Sequence, residues 1–201
     1  MLPAVEPINP VLQREPFDDP NWAFETKFDG FRGIAYVEAG ECRLISRKGH
    51  AYKRFESLRH AIAANVTAES AILDGEIVCL DEQGRSQFYD LMFRRGQPYF
   101  YAFDLLWLDG EDLRELPLVE RKSRLKDLIP ERPSLLLYLD HIEGQGVDLY
   151  HLACGLDLEG IVAKPKASVY RSEQRPWIKV KNPSYSQAEG RRELFDSRRR
   201  G

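Results

Sequence analysis

Residues 22–30, WAFETKFDG, read as a strand running into a turn. Side chains alternate across a strand, so Trp22, Phe24, Thr26 and Phe28 fall on one face and Ala23, Glu25, Lys27 and Asp29 on the other. The first face is apolar and asks for a core. The second raises a lysine between two carboxylates. That pattern suits a surface ion-pair ladder or a reactive amine in a pocket, and the rest of the chain has to decide between them.

Outward from this strand the pattern is mostly β. Residues 1–20 are proline-rich and read as an extended, irregular lead-in. FRGIAYVEAGECRLISR predicts a hairpin turning near Ala39-Gly40-Glu41, and Phe55, Leu58, Ile62 and Val66 repeat at helical spacing. AILDGEIVC and PYFYAFDLLWL predict further strands, with a short helix between them in SQFYDLMFRRG. LPLVERKSRLKDLIP is bounded by Pro117 and Pro130 and reads as a helix. The strand SLLLYLDHI, a helix over 145–155 and the strands EGIVAKP and RPWIKVK complete the chain. Strands joined by short turns outnumber helices, which predicts an α+β fold of mainly antiparallel sheets flanked by helices. The expected division is a lead-in at 1–20, a catalytic domain at 21–182 and a basic tail at 183–201.

The bulk numbers are compatible with this. The chain has 201 residues, 43% of them hydrophobic and 30% charged, enough for a sizeable core. No apolar run approaches the ~20 residues of a membrane-spanning helix, and the first residues lack a secretion signal. Cys42, Cys79 and Cys154 are far apart and odd in number, which reads as reduced packing thiols and a cytoplasmic setting. The four histidines, at 50, 60, 141 and 151, show no metal spacing. The net charge is -3, but from Val162 onward 11 basic residues face 4 acidic ones, leaving the body acidic. A basic end on an acidic body points to a polyanion, because lysine and arginine release counterions from phosphate.

Several strands place charges on faces that should be apolar. Alternation puts Asp74 and Glu76 beside Ile72 and Val78. It puts Asp104 beside Ala102 and Leu106, with Tyr101, Phe103, Leu105 and Trp107 opposite. Glu159 and Lys164 bracket EGIVAK, and Lys179 and Lys181 share a face with Trp177. Each has a dull explanation when taken singly. As a set they suit a nucleotide pocket, with carboxylates for Mg²⁺, cations for phosphate and a ring for a base.

In order along the chain, KFDGFR (27–32), SRKG (46–49), LDGE (73–76), YAFDLL (101–106), EGIVAK (159–164) and WIKVK (177–181) resemble the motifs of the covalent nucleotidyltransferases. That superfamily comprises ATP-dependent DNA ligases, RNA ligases and mRNA capping enzymes. The details are most similar to the nucleotidyltransferase (adenylation) domain of ATP-dependent DNA ligases, as in the ligase domain of bacterial ligase D.

The resemblance implies an ATP-grasp-like nucleotidyltransferase fold and an enzyme that seals nicked double-stranded DNA in repair and recombination. Lys27 would attack ATP and carry AMP, with Mg²⁺ or Mn²⁺ held at Glu159. Glu76 would contact the ribose, Phe103 stack on adenine, and Arg32 and Arg47 hold phosphate. Glu25 would meet the adenine amino group, with Thr26 beside it, and Asp29 would serve the later sealing steps. Attack needs a neutral amine, so Lys179, Lys181, Arg32 and the metal are expected to outweigh Glu25 and Asp29 around Lys27. The alternatives on the same chassis are an RNA ligase, a capping-type enzyme, or a nick-binding module that does not seal by itself.

In one respect the chain departs from the family pattern. Ligases of this family carry an OB-fold after the WIKVK-type strand, and only 20 residues follow Lys181, so no OB-fold domain is expected. Arg191, Arg192, Arg198, Arg199 and Arg200 are candidates for a basic substitute or for DNA contacts. A partner protein supplying the OB-fold function is the other expectation. Otherwise the chain is expected to be a monomer away from any membrane.

Overall fold

The computed structural model describes residues 2–174 and 176–188. Within them two mainly antiparallel sheets face each other. The first is built from β1 (Val11–Gln13), β2 (Asp19–Lys27), β9 (Ile142–Gly144), β10 (Gly160–Pro165) and β11 (Ile178–Lys181), in the order β1-β11-β10-β2-β9. The second runs β4-β3-β5-β6-β7, from β3 (Phe31–Glu38), β4 (Glu41–Ser46), β5 (Ser70–Cys79), β6 (Pro98–Leu108) and β7 (Glu111–Asp112), with β8 (Leu136–Tyr138) parallel to β6. Four helices flank them: α1 (Glu56–Asn65), α2 (Phe88–Phe93), α3 (Leu118–Leu128) and α4 (Gly146–Gly155). This is the expected α+β architecture.

Local chemistry explains most of the elements. The β3–β4 hairpin turns at Ala39 and Gly40, both at positive φ (53° and 76°), the two-residue geometry whose twist matches the strands it joins. Helix α3 opens after Pro117, whose ring presets a compatible φ, and stops before Pro130. Its buried face is Leu118, Arg121, Lys122, Leu125 and Leu128, a clean helical stripe that carries two cations inward.

Three apolar clusters hold the layers together. Phe24 on the back of β2 packs with Leu149 and Ala153 of α4. Leu58 and Ile62 of α1 and Leu125 of α3 pack with Leu73, Ile77, Phe100 and Leu105 of the second sheet. Ile34, Ile72, Phe103, Leu106 and Trp177 fill the space between the sheets. Full burial of one such side chain contributes ~1.5–3 kcal/mol, so these clusters rather than the exposed ion pairs stabilise the domain.

The structure alters three sequence expectations. The lead-in is not irregular throughout: Val11–Gln13 pairs in parallel with β11, and Ile8 is buried in the inter-sheet core. Strict alternation also fails in β6. Register shifts opposite Ile72/Leu73 and Asp74/Gly75 leave Phe103 and Leu106 without cross-strand partners in β5. Phe103 and Asp104 therefore both reach the inter-sheet region, while Leu105 turns to the outer core. Finally, residues 182–188 are anchored to the body. Asn182 donates to the Leu158 carbonyl and Ser186 bonds Asp157.

Candidate active site

The sheets open into a cleft of about 460 Å³, lined by β2, the start of β3, the β4 loop and the facing strands β10 and β11. Register decides what meets in it. Gly160 lies opposite Lys27 on one side and Lys181 on the other, and Val162 likewise lies between Glu25 and Lys179. Four charged positions from β2 and β11 thus share one face across β10. Lys27 Nζ is 2.5 Å from Glu159 Oε2, and Lys181 Nζ is 2.9 Å from Glu159 Oε1. Lys179 lines the cleft beside them. Burial, together with the Lys27 and Lys181 charges, pulls its ammonium below the ordinary lysine range.

At the other end Glu25 is almost fully buried, and both its oxygens are held. Oε1 accepts from Lys122 at 2.6 Å and Oε2 lies 2.6 Å from Lys164. The Lys164 ammonium also sits 4.2 Å from the ring centres of both Phe103 and Trp177. Burial drives its pKa down to about 8, against the pull of Glu25. Glu25 and Lys27 are two residues apart on β2, so the two ends of the cleft floor are separated by ~7 Å along the strand.

The second sheet supplies the opposite wall. Arg32 is held in a two-pronged pair with Asp74, Nε to Oδ1 at 2.6 Å and Nη2 to Oδ2 at 2.5 Å, and its guanidinium lies over Phe103 at 4.6 Å. Burial works to discharge Arg32, but Asp74 outweighs it and the net shift is upward. Tyr170 donates to the same Asp74 at 2.6 Å. Glu76 stands opposite Arg32 across β3 and β5. Burial pushes its carboxyl up to about 7, although Lys27 and Arg32 pull the other way.

The other sequence candidates divide between cleft and surroundings. Thr26 lines the cleft, and Arg47 is exposed at its mouth with Lys48 and His50. Asp29 is buried and accepts from the Tyr185 hydroxyl at 3.1 Å, with Ser86 close to both. Phe28 follows β2, which ends at Lys27; it still packs against the Phe24 cluster and also stacks on Tyr101 at 4.5 Å. Asp104 is bound by Arg121 at 2.7 Å, with both side chains fully buried. The arginines at 191, 192 and 198–200 lie outside the described residues.

Sequence reading missed Asn9 and Pro10 at the rim, Trp177 as a wall of the cleft, and Lys122 and Tyr185 behind it. Two of these left a signal: Trp177 shares the face of Lys179 by alternation, and Lys122 lies on the inward stripe of α3. Among the described residues no three His, Cys, Asp or Glu side chains cluster as a metal cage. A single carboxylate, Glu159, beside the Lys27 and Lys181 ammoniums fits a hard cation that arrives with nucleotide phosphates, completing its shell with their oxygens and water.

A two-sheet α+β cleft with a lysine on its floor, a carboxylate against that lysine and an aromatic ring further in has the chemistry of a nucleotide pocket. A family model for the ATP dependent DNA ligase domain matches residues 5–181. The chain belongs to that family.

Among curated relatives, the multifunctional non-homologous end joining protein LigD of Pseudomonas aeruginosa is 39% identical over 168 residues, 80% of this chain but 20% of its own length. The SPbeta prophage-derived DNA ligase-like protein LigB of Bacillus subtilis is 30% identical over 192 residues, covering 90% of this chain and 69% of LigB. Among solved structures, a mycobacterial DNA ligase D complexed with ATP and MES superposes with a TM-score of 0.74 at 28% identity. That match covers 87% of this chain and 59% of the other. The chain therefore spans about a fifth of the length of the LigD relatives.

Proposed function

We propose that the domain is an ATP-dependent DNA ligase-type nucleotidyltransferase acting at nicks in duplex DNA during repair. The observation that carries this is the convergence of Lys27, Glu159, Lys179 and Lys181 at one end of a cleft whose other end holds Glu25 and Phe103. The ~7 Å between those ends along β2 suits a nucleotide lying with its base toward Phe103 and its α-phosphate at Lys27.

In the first step the Lys27 amine attacks the α-phosphorus of ATP. A P–N bond forms, the P–O bond to pyrophosphate breaks, and the amine loses a proton, for which Glu159 Oε2 is the adjacent acceptor. Lys179 and Lys181 offset the charge growing on the phosphorus and the departing pyrophosphate. A Mg²⁺ carried on the phosphates, with Glu159 as its protein ligand, would supply further charge neutralisation. Glu76 and Arg32 bound the ribose side and Glu25 the base, while Asp29 is placed one residue beyond Phe28 for later steps. AMP then passes to the 5′-phosphate at a nick, and the 3′-hydroxyl displaces it.

The relatives bearing the name DNA ligase favour DNA over the RNA-ligase and capping readings. Three unpaired thiols agree with a cytoplasmic site of action. The test is incubation with α-labelled ATP and Mg²⁺, followed by denaturing electrophoresis and a nick-sealing assay. Wild type should retain label and Lys27→Ala should not; label on the alanine variant would falsify the nucleophile assignment.

A further inference from the structure

Helix α3 lies outside the motifs that define the cleft, yet it sends a charge into the cleft floor. Lys122 sits on the inward stripe of α3 and is 1% exposed. Its ammonium spends its donors on both sheets. It donates to Glu25 Oε1 of β2 at 2.6 Å and to the Leu139 carbonyl at 2.9 Å, and lies 3.5 Å from the Phe103 carbonyl of β6. Glu25 is thereby gripped from behind by Lys122, while Lys164, which lines the cleft, holds the other oxygen.

This grip bears on which base the cleft accepts. A carboxylate only accepts and an ammonium only donates. The Glu25–Lys164 pair thus offers one acceptor and one donor. Adenine presents an amino donor beside a ring-nitrogen acceptor, and guanine presents a ring N–H donor beside a carbonyl acceptor. A loose pair can serve either base by sliding about one hydrogen-bond position. Only a pair fixed against the sheets can discriminate, because the wrong base then faces groups it cannot satisfy.

We propose that Lys122 is a positioning residue for base selection, locking Glu25 so that the cleft takes ATP and rejects GTP. This rests on the function proposed above. The experiment measures kcat/KM for covalent labelling with α-labelled ATP and, separately, with α-labelled GTP. The proteins compared are wild type, Lys122→Met, Lys122→Gln, Glu25→Gln and the Lys122→Met/Glu25→Gln double variant. The glutamine substitution at 122 keeps a donor for the Leu139 carbonyl and so guards against simple loss of folding, which thermal melts monitor.

Releasing Glu25 should cut the ATP-over-GTP preference at least ~10-fold, about the discrimination carried by one well-placed hydrogen-bonding pair. In the Glu25→Gln background the Lys122 substitution should change the preference less than ~2-fold. A purely structural lysine would slow both nucleotides equally, and an unchanged preference in a folded Lys122 variant overturns the proposal alone. Wild type that takes label from neither nucleotide overturns the functional reading, and this inference with it.

Discussion

Replacing Gly160 by alanine should separate the reacting groups at the centre of the cleft. Gly160 lies in register with Lys27 on β2 and with Lys181 on β11, at a φ of +136° that side chains rarely adopt. A Cβ there would stand 2.1 Å from the Val180 carbonyl oxygen and 2.9 Å from Lys181 Cα, both backbone atoms that cannot rotate away. Ordinary carbon–oxygen contacts begin near ~3.3 Å, so β11 must retreat by about 1 Å. The strained φ costs ~1–3 kcal/mol and the overpacking a similar ~1–3 kcal/mol. At ~2–4 °C per kcal/mol for a domain of this size, the melting temperature should fall by roughly 5–20 °C. Lys27 and Lys181 hold Glu159 at 2.5 and 2.9 Å from the very strands being pushed apart. A displacement near ~1 Å should lower the labelling rate about 100-fold even below the new melting point. Gly155→Ala is the control: it ends α4 in open space and should leave stability within ~1 kcal/mol. A Gly160→Ala protein melting within ~2 °C of wild type and labelling at an undiminished rate would refute the register argument.

Further outcomes follow from the same geometry. Glu76, pushed up to about 7 from a usual value near 4.5, holds its proton in the folded chain after the unfolded chain has lost it, so it weakens the fold as pH rises through that window. Glu76→Gln should therefore be more stable than wild type at pH 8, with the gain shrinking toward pH 4.5 in urea titrations; a pH-independent difference would count against a desolvated carboxylate. Tyr185→Phe removes the hydroxyl that bonds Asp29 at 3.1 Å and should cost ~0.5–1.5 kcal/mol in the same titrations. Arg121→Met leaves Asp104 charged and buried, a loss of ~3–5 kcal/mol, whereas Asp104→Leu/Arg121→Met should recover most of it. A double variant no more stable than the single one would mean that the pair itself, not the orphaned charge, stabilises the fold.

What could be read from the chain was local, and what could not was a matter of partners. Alternation in WAFETKFDG correctly put Glu25 and Lys27 in a shared space and Phe24 in a core, because both faces of β2 are covered. It failed in β6, where two register shifts turn Phe103 and Asp104 the same way, and no spacing in YAFDLL announces a bulge. Arg32 looked free for phosphate, but Asp74, 42 residues on, takes both prongs of its guanidinium. Glu25 was expected to wait for a base amino group, yet Lys122 and Lys164, both distant in sequence, already hold it. Periodicity says which way a side chain points; it does not say which distant side chain will be waiting there.

Those occupied groups bear on how a lysine nucleophile can be kept among carboxylates. If Glu25, on the cleft wall, and Asp74 and Asp104, buried behind it, were free, their charges would repel nucleotide phosphates and stabilise the charged form of nearby amines. Each is instead paired within the fold: Glu25 with Lys122 and Lys164, Asp74 with Arg32, Asp104 with Arg121. Two of those cations come from adjacent positions of α3, a helix that contributes nothing else to the cleft wall. The helix is therefore an electrostatic part of the site as well as a packing element. With the acids neutralised in this way, Glu159 is left as the carboxylate in direct contact with Lys27, and Lys179 and Lys181 make the surroundings of that contact positive. The Lys27 end of the cleft is cationic because the acidic residues at and behind the Phe103 end already have their partners.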